Sequence, residues 1–218
     1  MRGILMRLCR GLVVVVALGS AARGQETETT MAEEKVLFQE TFGERLDSNW
    51  SWLREAPNRW RLRDGGLEIH VRPGLAETVE NALVRALPEQ RGESLAIEVT
   101  VRNLSPPTQQ YEQVGLTWYV DEKPVFKFVK ELVDDQVMII PGRVPVEGDL
   151  VQLRLEVRGK QYTALFRVDP TQPYAVAGKG ELPRGDREQI SVQCYHGPPD
   201  AEHWMRFENF RIMELAKE

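Results

Sequence analysis

The chain has 218 residues, 42% of them hydrophobic, with 28 Lys+Arg against 33 Asp+Glu and a formal net charge of −5. Its first 24 residues hold four of those bases (Arg2, Arg7, Arg10, Arg23) and none of the acids, so the remainder carries −9. Such a chain has no net positive field to collect phosphates, which excludes a nucleic-acid binder as the working reading.

In chain order, three arginines precede an apolar run from Gly11 to about Leu18, which is followed by the small residues Gly19, Ser20, Ala21 and Ala22. That pattern predicts a secretory signal peptide over 1–24, cut near Ala22 or Gly24, and a periplasmic or extracellular destination. The run is well short of the roughly 20 residues of a spanning helix, so no membrane association is expected after cleavage. Cys9 leaves with the signal and Cys194 remains alone. Neither an internal disulfide nor a cysteine zinc site is then possible, and the exported domain must depend on its core. Residues 25–35 are acidic and free of aromatics, the composition of a flexible leader. A single domain is expected over 36–215.

Within it the dominant period is two. Leu95, Ile97, Val99 and Val101 alternate with polar residues, as do Val151, Leu153, Leu155 and Val157, and the second run turns at Arg158-Gly159-Lys160 and returns through Tyr162, Ala164 and Phe166. These are half-buried antiparallel strands, and about ten further segments read the same way. No segment carries an apolar helical stripe. The expected fold is all-β, a two-sheet antiparallel jelly-roll sandwich with little helix.

The stretch "SNWSWLREAPNRWRLRDGG" (48–66) concentrates three of the five tryptophans among charges. Indoles bury large areas yet keep one N–H donor, so they serve as core plugs or as sugar platforms. Trp50 and Trp52 share a parity, and exposing both would leave an apolar patch. Trp52 is therefore expected in the core or in the wall between loop and sheet, with Arg54 and Glu55 pointing towards a cleft. There is no phosphate loop, nucleophile elbow or His pair at metal spacing. A glycosidase on a sandwich would need two carboxylates on one face, about 5–9 Å apart. Glu147 and Asp149 flank Gly148 in an apparent turn, Asp134 and Asp135 are adjacent and so point apart, Asp121-Glu122 reads as a turn, and no catalytic residue is assigned.

The segments "LFQETFGERLDSNWSWLREAPNRWRLRDGGLEIHV", "NALVR", "QVGLTWYVDEKPVFKFV" and "MRFENFRIM" occur in the order seen in the concanavalin A-like lectin/glucanase superfamily. More narrowly, the chain resembles small domains of unknown function similar to the C-terminal domain of bacterial β-xylosidases, over Val36 to about Leu215. The resemblance implies the sandwich, with ligands on a concave sheet. It does not carry glucanase activity, because the E-x-D-x-E and E-x-D-x-x-E strings of those enzymes are missing.

The non-core positions of two strands, His70 and Arg72 in one and Thr117 and Tyr119 in the other, would share one polar surface with Lys127 if both strands lay in the same sheet. The expected ligand set is thus Trp52, Arg54, Glu55, His70, Arg72, Tyr119 and Lys127, and the expected function is lectin-like binding of a polysaccharide or oligosaccharide without catalysis. The alternatives are a polysaccharide lyase or glycosidase, a lyase drawing on Arg72, His70, Tyr119, Gln193, Tyr195 and His196, or a structural domain with no small ligand. Related folds hold a structural Ca²⁺ between their first and last strands. Glu40 and Glu208, beside Asn209, are the matching candidates, and the parity of the last strand shifts across Glu208-Asn209 as at a bulge.

Overall fold

The computed structural model describes residues 34–88 and 94–216. The segment 1–24 read as a signal peptide, and the leader as far as residue 33, lie outside the described residues. The leader's last two residues belong to the fold: the first strand starts at Lys35, and Glu34 is ion-paired to Arg154.

Fifteen strands and one short 3-10 turn are described, with no α-helix among the described residues. In chain order they are β1 (Lys35–Glu40), β2 (Ser51–Leu53), β3 (Trp60–Arg63), β4 (Gly66–His70), β5 (Ala82–Ala86), β6 (Ser94–Asn103), β7 (Gln113–Val120), β8 (Lys123–Val133), β9 (Gln136–Ile140), β10 (Val144–Pro145), β11 (Leu150–Arg158), β12 (Gln161–Arg167), β13 (Ala175–Glu181), β14 (Glu188–Tyr195) and β15 (Trp204–Glu214). They form two antiparallel sheets. One runs β13-β12-β11-β6-β15-β4-β3, with β1 also on β15, and the other runs β10-β9-β8-β7-β14-β5-β2. The chain is a two-sheet sandwich.

Local chemistry explains the hairpins. Asp64-Gly65, Asp121-Glu122 and Asp134-Asp135 all have positive φ, between 49° and 72°. Each pair joins strands whose flanking residues are in register, Arg63 with Gly66, Val120 with Lys123 and Val133 with Gln136. Two left-handed residues match the twist of the flanking strands, and Asp and Gly adopt that conformation at least cost. The acid pairs are thus turns.

Alternation then decides burial. Leu95, Ile97, Val99 and Val101 of β6 and Val151, Leu153, Leu155 and Val157 of β11 face Val114, Leu116 and Trp118 of β7 and Ile190, Val192 and Cys194 of β14, all buried in one core. Trp50 closes one end of this core. Its ring meets Phe210 at 5.0 Å and Phe38 at 6.1 Å, edge to face.

The bulge expected in the last strand is present. The register of β15 against β6 shifts between Glu208 and Arg211, and Asn209 has φ 52°. The same point divides the opposite edge of β15, where residues 204–207 pair with β4 and residues 210–214 pair with β1. The irregularity lets one long strand hand over from one partner to another.

On the outer face of the eight-stranded sheet, charges sit opposite one another in a ladder. Glu98 accepts Arg154 Nη1 at 2.6 Å and also pairs with Arg211, while Glu68 takes Arg61 at 2.6 Å and Arg206 at 3.1 Å. Burial works against the Glu98 charge, but the two guanidinium groups outweigh it and hold the carboxyl below the usual carboxylate range.

The two carboxylates named as calcium candidates have other partners in the fold. Both Glu40 carboxylate oxygens accept backbone amides, from Phe42 and Asp47, each at 2.9 Å. Glu208 accepts Arg206 Nε at 2.6 Å, so its carboxylate is already paired with a positive charge. The two carboxylates serve a loop cap and an ion pair, and among the described residues no group of three acids, histidines or cysteines converges on a metal position. Melting curves with excess Ca²⁺ and with chelator are expected to coincide. A rise of several degrees with Ca²⁺ would overturn this account.

Candidate functional site

The outer face of the seven-stranded sheet carries the side chains that alternate away from the core. They are Gln113, Thr117 and Tyr119 on β7, Ser191, Gln193 and Tyr195 on β14, and Lys127 and Glu131 on β8. All except Lys127 are buried, although they point away from the sandwich interior. What covers part of them is the connection from β4 to β5, residues 72–81, which lies across this face as a strap.

The strap is fixed by hydrogen bonds. The Tyr119 hydroxyl donates to Ala76 O at 3.0 Å, Arg54 Nε donates to Val79 O at 2.6 Å, and the strap's end is held by Asn81, whose Oδ1 accepts Ala56 N at 2.8 Å. Arg54 reaches the strap from a left-handed position, φ 56°, beyond the end of β2.

Beside the strap runs a shallow cleft along β7 and β8. A wider part of about 420 Å³ is lined by Leu75, Glu77, Tyr111, Gln113, Glu131 and His196, and a narrower part of about 190 Å³ by Thr117, Val125 and Phe126. Ala76, Glu77, Lys127 and Tyr195 line both parts. Lys127 Nζ donates to Glu131 Oε2 at 2.8 Å and to Gln113 Oε1 at 3.0 Å. The Thr117 hydroxyl is buried with no hydrogen-bond partner.

The rim is apolar. Leu75, Tyr111 and Val125 are 53%, 47% and 37% exposed, among the largest exposures of hydrophobic side chains in the described residues. Tyr111 is held in place by its backbone, with N–H donating to Leu132 O and C=O accepting Gln113 Nε2. It has φ 68°, an uncommon conformation for an aromatic residue and one that clusters at functional sites.

Electrostatics favour neutral groups on this floor. Burial pushes the Tyr119 phenol up, and burial together with Glu131 does the same to Tyr195, so both remain hydrogen-bond donors. Burial draws the His196 imidazole down, which keeps it neutral near pH 7.

Of the residues expected at the site, Tyr119 and Lys127 lie on this face, and Arg54 borders it through the strap. His70 does not. Its strand belongs to the other sheet, where it stacks on Trp204 with centroids 5.4 Å apart. Arg72 follows the same strand and enters the strap with its carbonyl accepting Gly197 N at 3.0 Å. The shared polar surface is therefore corrected: it assumed one sheet for two strands that the topology separates.

Trp52 is opposite Leu83 and packs against the core, its ring 4.8 Å from that of Trp60. Glu55 accepts the Trp60 indole N–H at 3.1 Å and does not line the cleft. Gln113, Glu131, Tyr111, Leu75 and Glu77 were missed as site residues. Alternation in "KPVFKFVKE" places Lys127 and Glu131 on one face, but nothing in the sequence brings the strap over them.

A family model described as the beta xylosidase C-terminal concanavalin A-like domain matches residues 39–182. No curated protein matches the sequence. Among solved structures, xylan beta-1,4-xylosidase from Bacillus halodurans is 14% identical with a TM-score of 0.65, over 81% of this chain and 39% of that one. The GH43 protein BlXynB from Bacillus licheniformis is 15% identical with a TM-score of 0.63, over 80% and 39%. The CBM2 module of the Lactobacillus casei BL23 phage J-1 evolved Dit is 7% identical with a TM-score of 0.59, over 85% and 97%. This chain thus spans 39% of the length of either Bacillus protein, and at these identities the likeness is one of fold. By the family match and the sandwich it folds into, the chain belongs to the beta-xylosidase C-terminal concanavalin A-like domain family.

Proposed function

We propose that this protein is an exported, non-catalytic carbohydrate-binding module whose ligand lies in the cleft along β7 and β8. The observation that carries the reading is the pairing of an exposed apolar rim (Leu75, Tyr111, Val125) with a polar floor whose Thr117 hydroxyl is buried and unpartnered. A pyranose ring offers the complement of both, a C–H face to lie against an aromatic ring and hydroxyls to pair with buried polar atoms. Tyr119 supports the wall through Ala76, Arg54 supports the strap, and Lys127 sits on the floor. Export rests on the N-terminal sequence pattern, and the family supports a saccharide as the ligand class.

A second reading, a glycosidase, is favoured by one observation: Glu77 and Glu131 line the same cleft. Against it, Glu131 is already bound by Lys127 and Glu77 rides on the exposed strap.

The test is titration of the full chain with a panel of soluble polysaccharides and oligosaccharides, with the mixtures assayed for new reducing ends and unsaturated products. Binding without product is expected, and Tyr111→Ala is expected to weaken it about tenfold, which corresponds to about 1.4 kcal/mol for one lost ring contact. Product release would establish the enzymatic reading. No binding across the panel, or a Tyr111→Ala variant that binds like the parent, would overturn the cleft as the site.

A further inference from the structure

We propose that the cleft selects uncharged saccharides over uronate-bearing ones, and that Glu131 sets this choice by occupying Lys127. The proposal rests on the saccharide-binding reading above and names the ligand class of the same cleft.

Lys127 is the one lysine or arginine lining either part of the cleft among the described residues. Its ammonium is spent on Glu131 Oε2 at 2.8 Å and Gln113 Oε1 at 3.0 Å. Glu131 is only 4% exposed, so water screens its pairing with Lys127 poorly and the pair presents no net charge to a ligand. Glu77, exposed on the strap, adds a second carboxylate to the wall. The neighbouring guanidinium of Arg54 is turned away to the strap carbonyls of Val79 and Ala76. The remaining ring nitrogens belong to His196, which burial keeps neutral.

A uronate carboxylate entering here would meet the neutralised Lys127–Glu131 pair, the exposed Glu77 carboxylate and no unpaired cation. A sugar hydroxyl would meet the protonated Tyr195 phenol, which shares the narrower part of the cleft with the buried, unpartnered Thr117 hydroxyl. Removing the Glu131 charge while keeping its shape leaves Lys127 with an uncompensated ammonium on the cleft floor, which is the group an anionic sugar needs.

The experiment titrates the full chain at low ionic strength with xylotetraose and cellotetraose as neutral probes and tetragalacturonate as the anionic one. Wild type is expected to prefer the neutral probes by about tenfold or more, the scale of one close carboxylate repulsion in a partly screened site. In Glu131→Gln that preference is expected to fall about tenfold, and adding Lys127→Met is expected to restore it. Glu77→Gln, at an exposed position, tests the same charge if the buried replacement fails to fold, and should lower the preference about threefold. Wild type binding neither series would overturn the saccharide reading and the proposal with it. Equal binding of both series by wild type would overturn the proposal alone. A preference left unmoved by whichever of the two glutamine variants folds would also overturn it.

Discussion

Trp50→Ala is expected to destabilise the protein by about 3–5 kcal/mol, the cost of deleting a buried indole and leaving its cavity. Trp50 is 8% exposed and lies among Phe38, Phe42 and Phe210, where β1, the loop that follows it and β15 converge at one end of the core. β1 and β15 are hydrogen-bonded to each other along this end of the core, so little can collapse to fill the space. Spread over a domain of this size, the loss corresponds to a melting temperature about 10 °C lower. Trp52→Ala should cost about 2 kcal/mol, because its ring is only partly buried and gives up its contacts with the core edge and with Trp60 without leaving an enclosed cavity. Chemical denaturation of both variants measures the difference. A Trp50→Ala variant as stable as the parent would remove Trp50 from the core, and a Trp52→Ala variant of unchanged stability that lost saccharide binding would restore Trp52 as a platform.

Stability is also expected to rise with pH between 7 and 10, by about 2–3 kcal/mol from Lys130 alone. Lys130 points inward from β8, is 3% exposed, and donates its ammonium to the carbonyls of Gly148 and Asp149 at 2.7 and 2.8 Å. Burial draws it down from 10.5 to about 8, with Asp149 opposing that shift and Arg102 adding to it. Between these two values the unfolded chain keeps a proton that the folded chain has released, so unfolding takes up a proton and stability increases with pH. Below about pH 8 the cost of burying the charge is borne in full. Denaturant unfolding of wild type and Lys130→Met across this range isolates the effect, since the other titrating groups cancel in the difference. A difference that stays flat from pH 7 to 10 would show that the folded ammonium is not depressed.

The calcium candidate illustrates why a motif can be legible while the partners of its side chains are not. An acid near the first strand and an acid in the last were both legible, and so was the bulge between Phe207 and Phe210. What the two carboxylates touch was not: Glu40 caps two amides of its own loop, and Glu208 meets an arginine two residues away on its own strand.

Most strands, the β11–β12 hairpin and the inward faces of β6, β7, β11 and β14 were determined by the sequence alone, whereas β2, β10 and β13 lack the alternation that would mark them. Period-two alternation and paired left-handed Asp, Glu and Gly turns are local properties, and burying one face of each strand leaves little freedom in its orientation. The polar floor was legible to the same extent, because Thr117, Tyr119 and Lys127 had to face away from the core. Sheet membership belonged to the tertiary structure. His70 and Tyr119 have equivalent local patterns, yet β4 pairs with β15 and β7 pairs with β14, and such long-range pairing is chosen by the packing of the whole sandwich. The tertiary structure likewise decided that residues 72–81 lie over the sheet and turn part of an open face into a cleft. That placement depends on hydrogen bonds from Tyr119 and Arg54 to strap carbonyls 43 and 25 residues away, contacts with no periodic trace in the sequence.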